Sequence, residues 1–195
     1  MARCEVCFRH CEIEEGKRGF CMVRGCVNGI VRPLNYGKIT SLALDPIEKK
    51  PLHRFHPGSR ILSAGSYGCN LRCPFCQNAE ISWSEEALRF EKEADELTPE
   101  ELADLAYNCR DRGNIGLAFT YNEPLIGYEF VLDTARLVRK KGMKTVLVTN
   151  GTAELEILAH LLPFVDAMNI DLKGFSDRYY RDVLKGSRSM VMDFI

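Results

Sequence analysis

The stretch SYGCNLRCPFCQNA, residues 66–79, places three cysteines within eight positions, spaced Cys69-x3-Cys73-x2-Cys76. Three thiolates leaving one loop can serve one metal centre, and soft sulfur selects zinc, copper(I) or an iron–sulfur cluster. A structural zinc ion usually takes a fourth nitrogen or sulfur ligand. None follows closely here, since the next cysteine or histidine residues are Cys109 and His160, while His53 and His56 precede the loop. A cubane held by three cysteines keeps one iron open, which is what a cluster needs if it must also bind a substrate or cofactor. A second set, Cys4-x2-Cys7-x3-Cys11-x9-Cys21, offers four thiolates near the N-terminus. That segment is too small to be held by core burial alone, so zinc or a second iron–sulfur cluster is expected there, with Cys26 or His10 able to replace one ligand. Cys109 ends an amphipathic helical pattern and is expected to pack as a small apolar group.

The chain that must position these thiols has 195 residues, 46% hydrophobic and 27% charged, enough for one medium domain with a small appendage. Its 26 basic and 27 acidic side chains give a net charge of −1. No dense basic block marks a nucleic-acid footprint, so nucleic acid is not expected as a partner. No signal-like stretch or membrane-spanning run is found, so the expected location is cytoplasmic, with no membrane association. A reducing compartment keeps thiols free and turns nine cysteines toward metal.

Residues 1–57 read as a cysteine-rich N-terminal module. Val27-Asn-Gly-Ile-Val31 signals a tight hairpin and Lys38–Leu44 a further strand. From residue 58 onward, short apolar runs alternate with longer amphipathic ones. Strands are expected at Ile61–Ser66, Ile115–Thr120, Thr145–Thr149 and Ala167–Leu172, with helices near 99–112, 126–141, 153–162 and 176–184. The fold class is therefore α/β, with parallel strands joined by helices and chemistry gathered at the strands' carboxyl ends. Those ends read SYGC, TYNEP, VTNG and IDLKG. Ser84–Glu96 is expected to be a solvated excursion. Asp45-Pro-Ile-Glu-Lys-Lys-Pro-Leu52 is expected to be a turn that packs the module on the core, with Lys49 and Lys50 in water and His53 and His56 structural.

The cysteine spacing, with Phe75 just before Cys76, resembles the cluster motif of radical S-adenosylmethionine (SAM) enzymes. The order CEVC, LDPIEKKPL, FHPGS, GCNLRCPFCQNAEIS, FTYNEP, VTNG and DLKG resembles the pyruvate formate-lyase activating enzyme-like branch, and more narrowly the radical SAM member of the AmmeMemoRadiSam system. The resemblance implies a partial (β/α) barrel of about four units, where the family commonly has about six, so a core truncated at its C-terminus is expected over 58–195. It implies a 4Fe–4S cluster on Cys69, Cys73 and Cys76, with SAM chelating the open iron. One electron then splits SAM into methionine and a 5′-deoxyadenosyl radical that abstracts hydrogen from a substrate. By the same resemblance, Glu123 takes the hydrogens of the SAM amino group, and Tyr121 and Asn122, which stand where the family has glycines, bind SAM together with Thr149, Asn150, Asp171 and Lys173. Phe75, Cys76 and Gln77 lie beside the adenine. The implied partners are an electron donor such as flavodoxin or ferredoxin, and a protein or small-molecule substrate, a glycyl-radical enzyme among them. Two alternatives stay open: a zinc-stabilised interaction protein without catalysis, or an inactive truncated fragment. An electron-transfer cluster protein is a third, and it would need a fourth ligand and ignore SAM.

Overall fold

The computed structural model describes residues 1–195. Its centre is a five-stranded sheet of β1 (Ser41–Pro46), β2 (Arg60–Gly65), β3 (Asn114–Phe119), β4 (Lys144–Thr149) and β5 (Ala167–Ile170), in the spatial order β5-β4-β3-β2-β1. The pairs β2–β3, β3–β4 and β4–β5 are parallel, and β1 is an antiparallel edge on β2. The crossovers contain α1 (Pro99–Asn108), α2 (Tyr128–Lys140) and α3 (Leu155–Leu161), and α4 (Arg188–Phe194) closes the chain.

Local chemistry explains these bounds. Thr98 caps α1, with its hydroxyl accepting from the Glu101 N–H while the Glu101 carboxylate accepts from the Thr98 N–H, and Pro99 fills the first turn. Buried Phe130, Val131, Thr134, Ala135 and Val138 recur on one face of α2, and the chain turns at Gly142 with φ +70°.

Alternation along the strands sorts the sheet's two faces. Leu62, Ala64, Leu117, Phe119 and Leu147 join α1, α2 and α3 in the largest apolar cluster. Their neighbours Ile61, Ala118 and Val146 face the other way and pack on Ile47. This second face is thus closed at one end by the segment after β1. Gly116 is required at its place in β3, because a Cβ there would sit 1.8 Å from the Lys144 carbonyl oxygen. The contact is backbone and cannot swing aside. Gly116→Ala is expected to cost at least about 3 kcal/mol, read as a fall in the urea midpoint, and an unchanged midpoint would refute this packing.

Two expectations are corrected. The strand predicted at Lys38–Leu44 divides: Lys38–Ile39 pairs with Asp95–Glu96, and Ser41–Pro46 joins the core sheet rather than staying with the N-terminal residues. Ser84–Glu96 is accordingly folded, into helical turns at Glu85–Arg89 and Phe90–Glu93 with Ala87 fully buried. Apolar Ala87, Leu88 and Phe90 among the acids carried that signal. The Asn28-Gly29 hairpin forms as expected between Arg24–Val27 and Ile30–Pro33, with φ of +55° and +74° at its two turn residues. Arg24, its side chain 7% exposed, ties this hairpin to α2 through Glu129 at 2.7 Å.

Candidate active site

The cysteine loop leaves the carboxyl end of β2 and is clamped from two sides. Gly68, at φ +90°, passes so close to Val23 that a Cβ would stand 2.5 Å from its methyl carbon. The Arg72 guanidinium donates to the carbonyls of Cys69 and Leu71 at 2.9 Å and to that of Phe20 at 2.6 Å. It stacks on the Phe20 ring together with Arg9, whose Nε donates to the Asn70 carbonyl. On the C-terminal side, Leu71 and Cys73 pack against Tyr180, Leu184 and Val191. The N-terminal residues therefore hold the loop's shape directly.

The carboxyl ends of the parallel strands meet this loop around a cleft of about 590 Å³. Cys69, Cys73, Cys76, Phe75 and Gln77 enter from the loop, Tyr121, Asn122 and Glu123 from beyond β3, Thr149 from the end of β4 and Asn150 just past it, and Asp171 and Lys173 from beyond β5. Every residue expected to touch the three-cysteine cluster or SAM thus lines one cavity. Lys173 Nζ and Asp171 Oδ2 are 2.8 Å apart. Burial opposes the Lys173 charge, but the hydrogen bond and charge of Asp171 outweigh it and raise its pKa, and negative charge on the Cys73 and Cys69 sulfurs acts in the same direction.

The bulky residues standing for glycines are accommodated. Tyr121 adopts φ +74°, a conformation that favours glycine, and its ring fills the space above Gly65, where a Cβ would come within 2.8 Å. Asn78 fixes it by donating to the Tyr121 carbonyl at 2.9 Å. Asn122 ties β3 to the cysteine loop: its Nδ2 donates to the carbonyls of Tyr67 and Gly68, and its Oδ1 accepts from the Ser66 N–H.

Glu123 is 4% exposed and accepts from the Thr149 hydroxyl at 2.7 Å, the Asn150 N–H at 2.7 Å and the Leu125 N–H at 3.0 Å. A carboxylate has about four acceptor positions, so one stays free toward the cleft. Burial pushes its pKa from 4.5 up to about 7, against the pull of those donors. A folded-state pKa above the unfolded value contributes stability that is complete below about 4.5 and lost as pH rises through 7. At about 1.4 kcal/mol per pH unit, the stability gap between metal-free wild type and Glu123→Gln should move by roughly 3 kcal/mol in the variant's favour from pH 4.5 to 7.5. Urea titrations at the two pH values check this, and a gap independent of pH would show that Glu123 is not desolvated.

The donor set suits an iron–sulfur cubane. Burial pushes the Cys69 thiol up to about 12, and burial also raises that of Cys73, so these sulfurs need a cationic metal to be held as thiolates. Cys69 Sγ already accepts from the Leu71 N–H at 3.4 Å and from Asn150 Nδ2 at 3.8 Å. No three Cys, His, Asp or Glu side chains converge at the distances a single ion demands. A cubane spreads its cysteines over separate irons and does not require that convergence. No histidine and no further cysteine lines the cleft.

The N-terminal thiols are placed differently. Cys4 packs with Val6, Ile13 and Cys26, with Cys11 partly buried beside them, whereas Cys21 packs with Val23, Tyr67 and Ile126. Cys7 is buried where it forms an isolated antiparallel bridge with Ala153. All nine cysteines are free.

Sequence reasoning missed several cleft residues. Lys49, Lys50, Asn78, Ser82, Trp83, Thr120 and Val148 also form its wall. Lys50 was expected in water, but its side chain is only 2% exposed, because the segment after β1 turns beneath the sheet and carries it inward. The repeated lysines of IEKK were the available signal.

A parallel α/β sheet with a sulfur-bearing loop after its first parallel strand and carboxylates at the later strand ends is the arrangement that the resemblance to radical SAM proteins implies. The radical SAM superfamily model matches residues 64–195, and the chain belongs to that superfamily. It is 45% identical over 194 residues to the uncharacterized protein MJ0808 of Methanocaldococcus jannaschii, covering 98% of this chain and 55% of that protein. It is 31% identical over 128 residues to the pyruvate formate-lyase-activating enzyme of Clostridium pasteurianum, covering 62% of this chain and 49% of that enzyme. The chain thus spans about half the length of these relatives. Among solved structures, Streptococcus suis SuiB bound to the precursor peptide SuiA matches 66% of this chain and 27% of its own, with a TM-score of 0.50 and 13% identity, a likeness of fold. No helix is long and apolar enough to cross a membrane.

Proposed function

We propose that Cys69, Cys73 and Cys76 hold a 4Fe–4S cluster whose open iron receives SAM. The observation that carries this is the shared cleft, where the three thiols lie with Glu123, Asp171 and Lys173 and no further cysteine and no histidine is found. The bound cluster would supply one electron to SAM, giving methionine and a 5′-deoxyadenosyl radical for hydrogen abstraction. The chain's own residues bind and orient. Glu123 offers its free acceptor position to the SAM amino group, and the Asp171–Lys173 pair presents one charge of each sign at the mouth. Phe75, 54% exposed, and Gln77 provide a surface for the adenine. The activating-enzyme relative supports a protein substrate, such as a glycyl-radical enzyme, and a small flavodoxin- or ferredoxin-like donor supplies the electron. The N-terminal thiols Cys4, Cys7, Cys11 and Cys21 are read as ligands of a second metal, zinc or a second cluster, a reading that rests on their spacing. Anaerobic reconstitution followed by dithionite and SAM tests the reading: 5′-deoxyadenosine should accumulate, and its absence from an iron-loaded protein would overturn it.

A further inference from the structure

Beside the cleft lies a second constellation, centred on Asp45, of which only Tyr121 belongs to the residues expected at the SAM site. Asp45, on β1, accepts from Lys50 Nζ at 2.8 Å and the Tyr121 hydroxyl at 2.7 Å through Oδ2, and from Lys49 Nζ at 2.9 Å through Oδ1. Ser41 pairs with Gly65 at the cysteine-loop end of β2, and Asp45 lies four residues farther along β1. At about 3.3 Å per residue, its backbone is roughly 13 Å down the sheet from that end. Two ammonium groups share this one carboxylate, so one positive charge is in excess. Lys50 is almost wholly buried and has three N–H groups, for which the protein supplies one acceptor, Asp45. Lys49 is different: its side chain is 58% exposed, and an ion pair so open is weak enough to be redirected. An independent observation points to the same ligand class. Trp83, in the same wall, has a buried indole N–H with no acceptor. Buried donors without partners are costly, and Lys49, Lys50 and Trp83 all line the one cavity.

We infer that Lys49 and Lys50, held in place by Asp45 and its partner Tyr121, form with Trp83 of the same cavity lining a subsite for an anionic oxygen group, a carboxylate or phosphate on the substrate. The inference rests on the radical reading above and names the substrate's chemical class. Asp45 and Tyr121 are positioning residues: the carboxylate keeps the ammonium groups inward, and Tyr121 links it to the strand end next to Glu123.

The test uses equilibrium dialysis of radiolabelled inorganic phosphate, and separately acetate, against the reconstituted chain at constant ionic strength, with and without SAM. At least one anion should bind saturably in both conditions, and the arm with the tighter binding identifies the group. Binding should shift the emission of Trp83, the chain's single tryptophan. Lys49→Ala, a change at an exposed side chain, should weaken it at least tenfold, and Lys50→Gln should weaken it further. Should Lys50→Gln fail to fold, Lys49→Ala decides alone. Non-saturable uptake, unchanged affinity in Lys49→Ala, a silent Trp83, or one-for-one displacement by SAM would each overturn the subsite. Iron content and SAM cleavage on the same wild-type preparation keep the two readings apart. Anion binding lost with both intact removes the subsite alone, whereas saturable anion binding without SAM cleavage removes the radical reading.

Discussion

Cys73→Ala protein, reconstituted without oxygen, is expected to lose most of the roughly four irons held by wild type and to form no 5′-deoxyadenosine. A cubane left with two cysteine ligands has two irons open, and the cleft has no other sulfur or imidazole to take either one. The substitution removes a thiol that is 6% exposed and packed against Leu71, Tyr180 and Leu184, so some destabilisation accompanies it. Truncation of one small buried group costs about 1 kcal/mol, too little to unfold a typical domain. Far-UV circular dichroism should therefore stay native while iron falls. Full iron content and full cleavage in this variant would show that the cluster, if any, sits elsewhere.

The second large effect is expected at Glu123. Glu123→Gln keeps the side chain's shape but removes the negative charge that makes its free position a strong acceptor. A hydrogen bond to a charged group contributes about 1.5–3 kcal/mol, so SAM affinity should fall about ten- to a hundredfold while iron content stays near wild type. Equilibrium dialysis of SAM against the reconstituted variant measures this. Retained affinity would remove Glu123 from the SAM site and leave it as an anchor for Thr149 and Asn150. This readout is separate from the pH-dependent stability gap, which concerns burial of the carboxylate and not its ligand.

Much of this site is written in local patterns. The three-cysteine spacing sits in one loop, and the segments TYNEP, VTNG and DLK fall on successive strand ends, so alternation of βα units was enough to bring them together. The hairpin at Asn28-Gly29 and the capped start of α1 are likewise short-range chemistry. What was not legible depends on contacts distant in sequence. Asp45 and Tyr121 are 76 residues apart, and nothing local to either predicts their hydrogen bond. Lys50 looks like a solvated charge until β1 is known to pair with β2, which turns the following residues under the sheet. Tyr121 and Asn122 were the departures from the resembled pattern, and both acquire roles only in the fold: one reaches Asp45, and the other stitches the strand end to the cysteine loop.

The role of the first 33 residues was also invisible locally. Their cysteines drew the eye, yet the contacts that bear on the cleft come from Arg9 and Phe20, which grip the loop through Asn70 and Arg72. No pattern within either segment announces a clamp between them.

Mössbauer spectroscopy of the iron-57-enriched, oxygen-free protein, recorded before and after addition of SAM, addresses the central claim most directly. If the three cysteines leave one iron for SAM, one site in four should change its isomer shift and quadrupole splitting on SAM addition, while the other three stay as they were. Four sites that ignore SAM would mean that a protein side chain already completes the cluster, and the assignment of this cleft would be wrong.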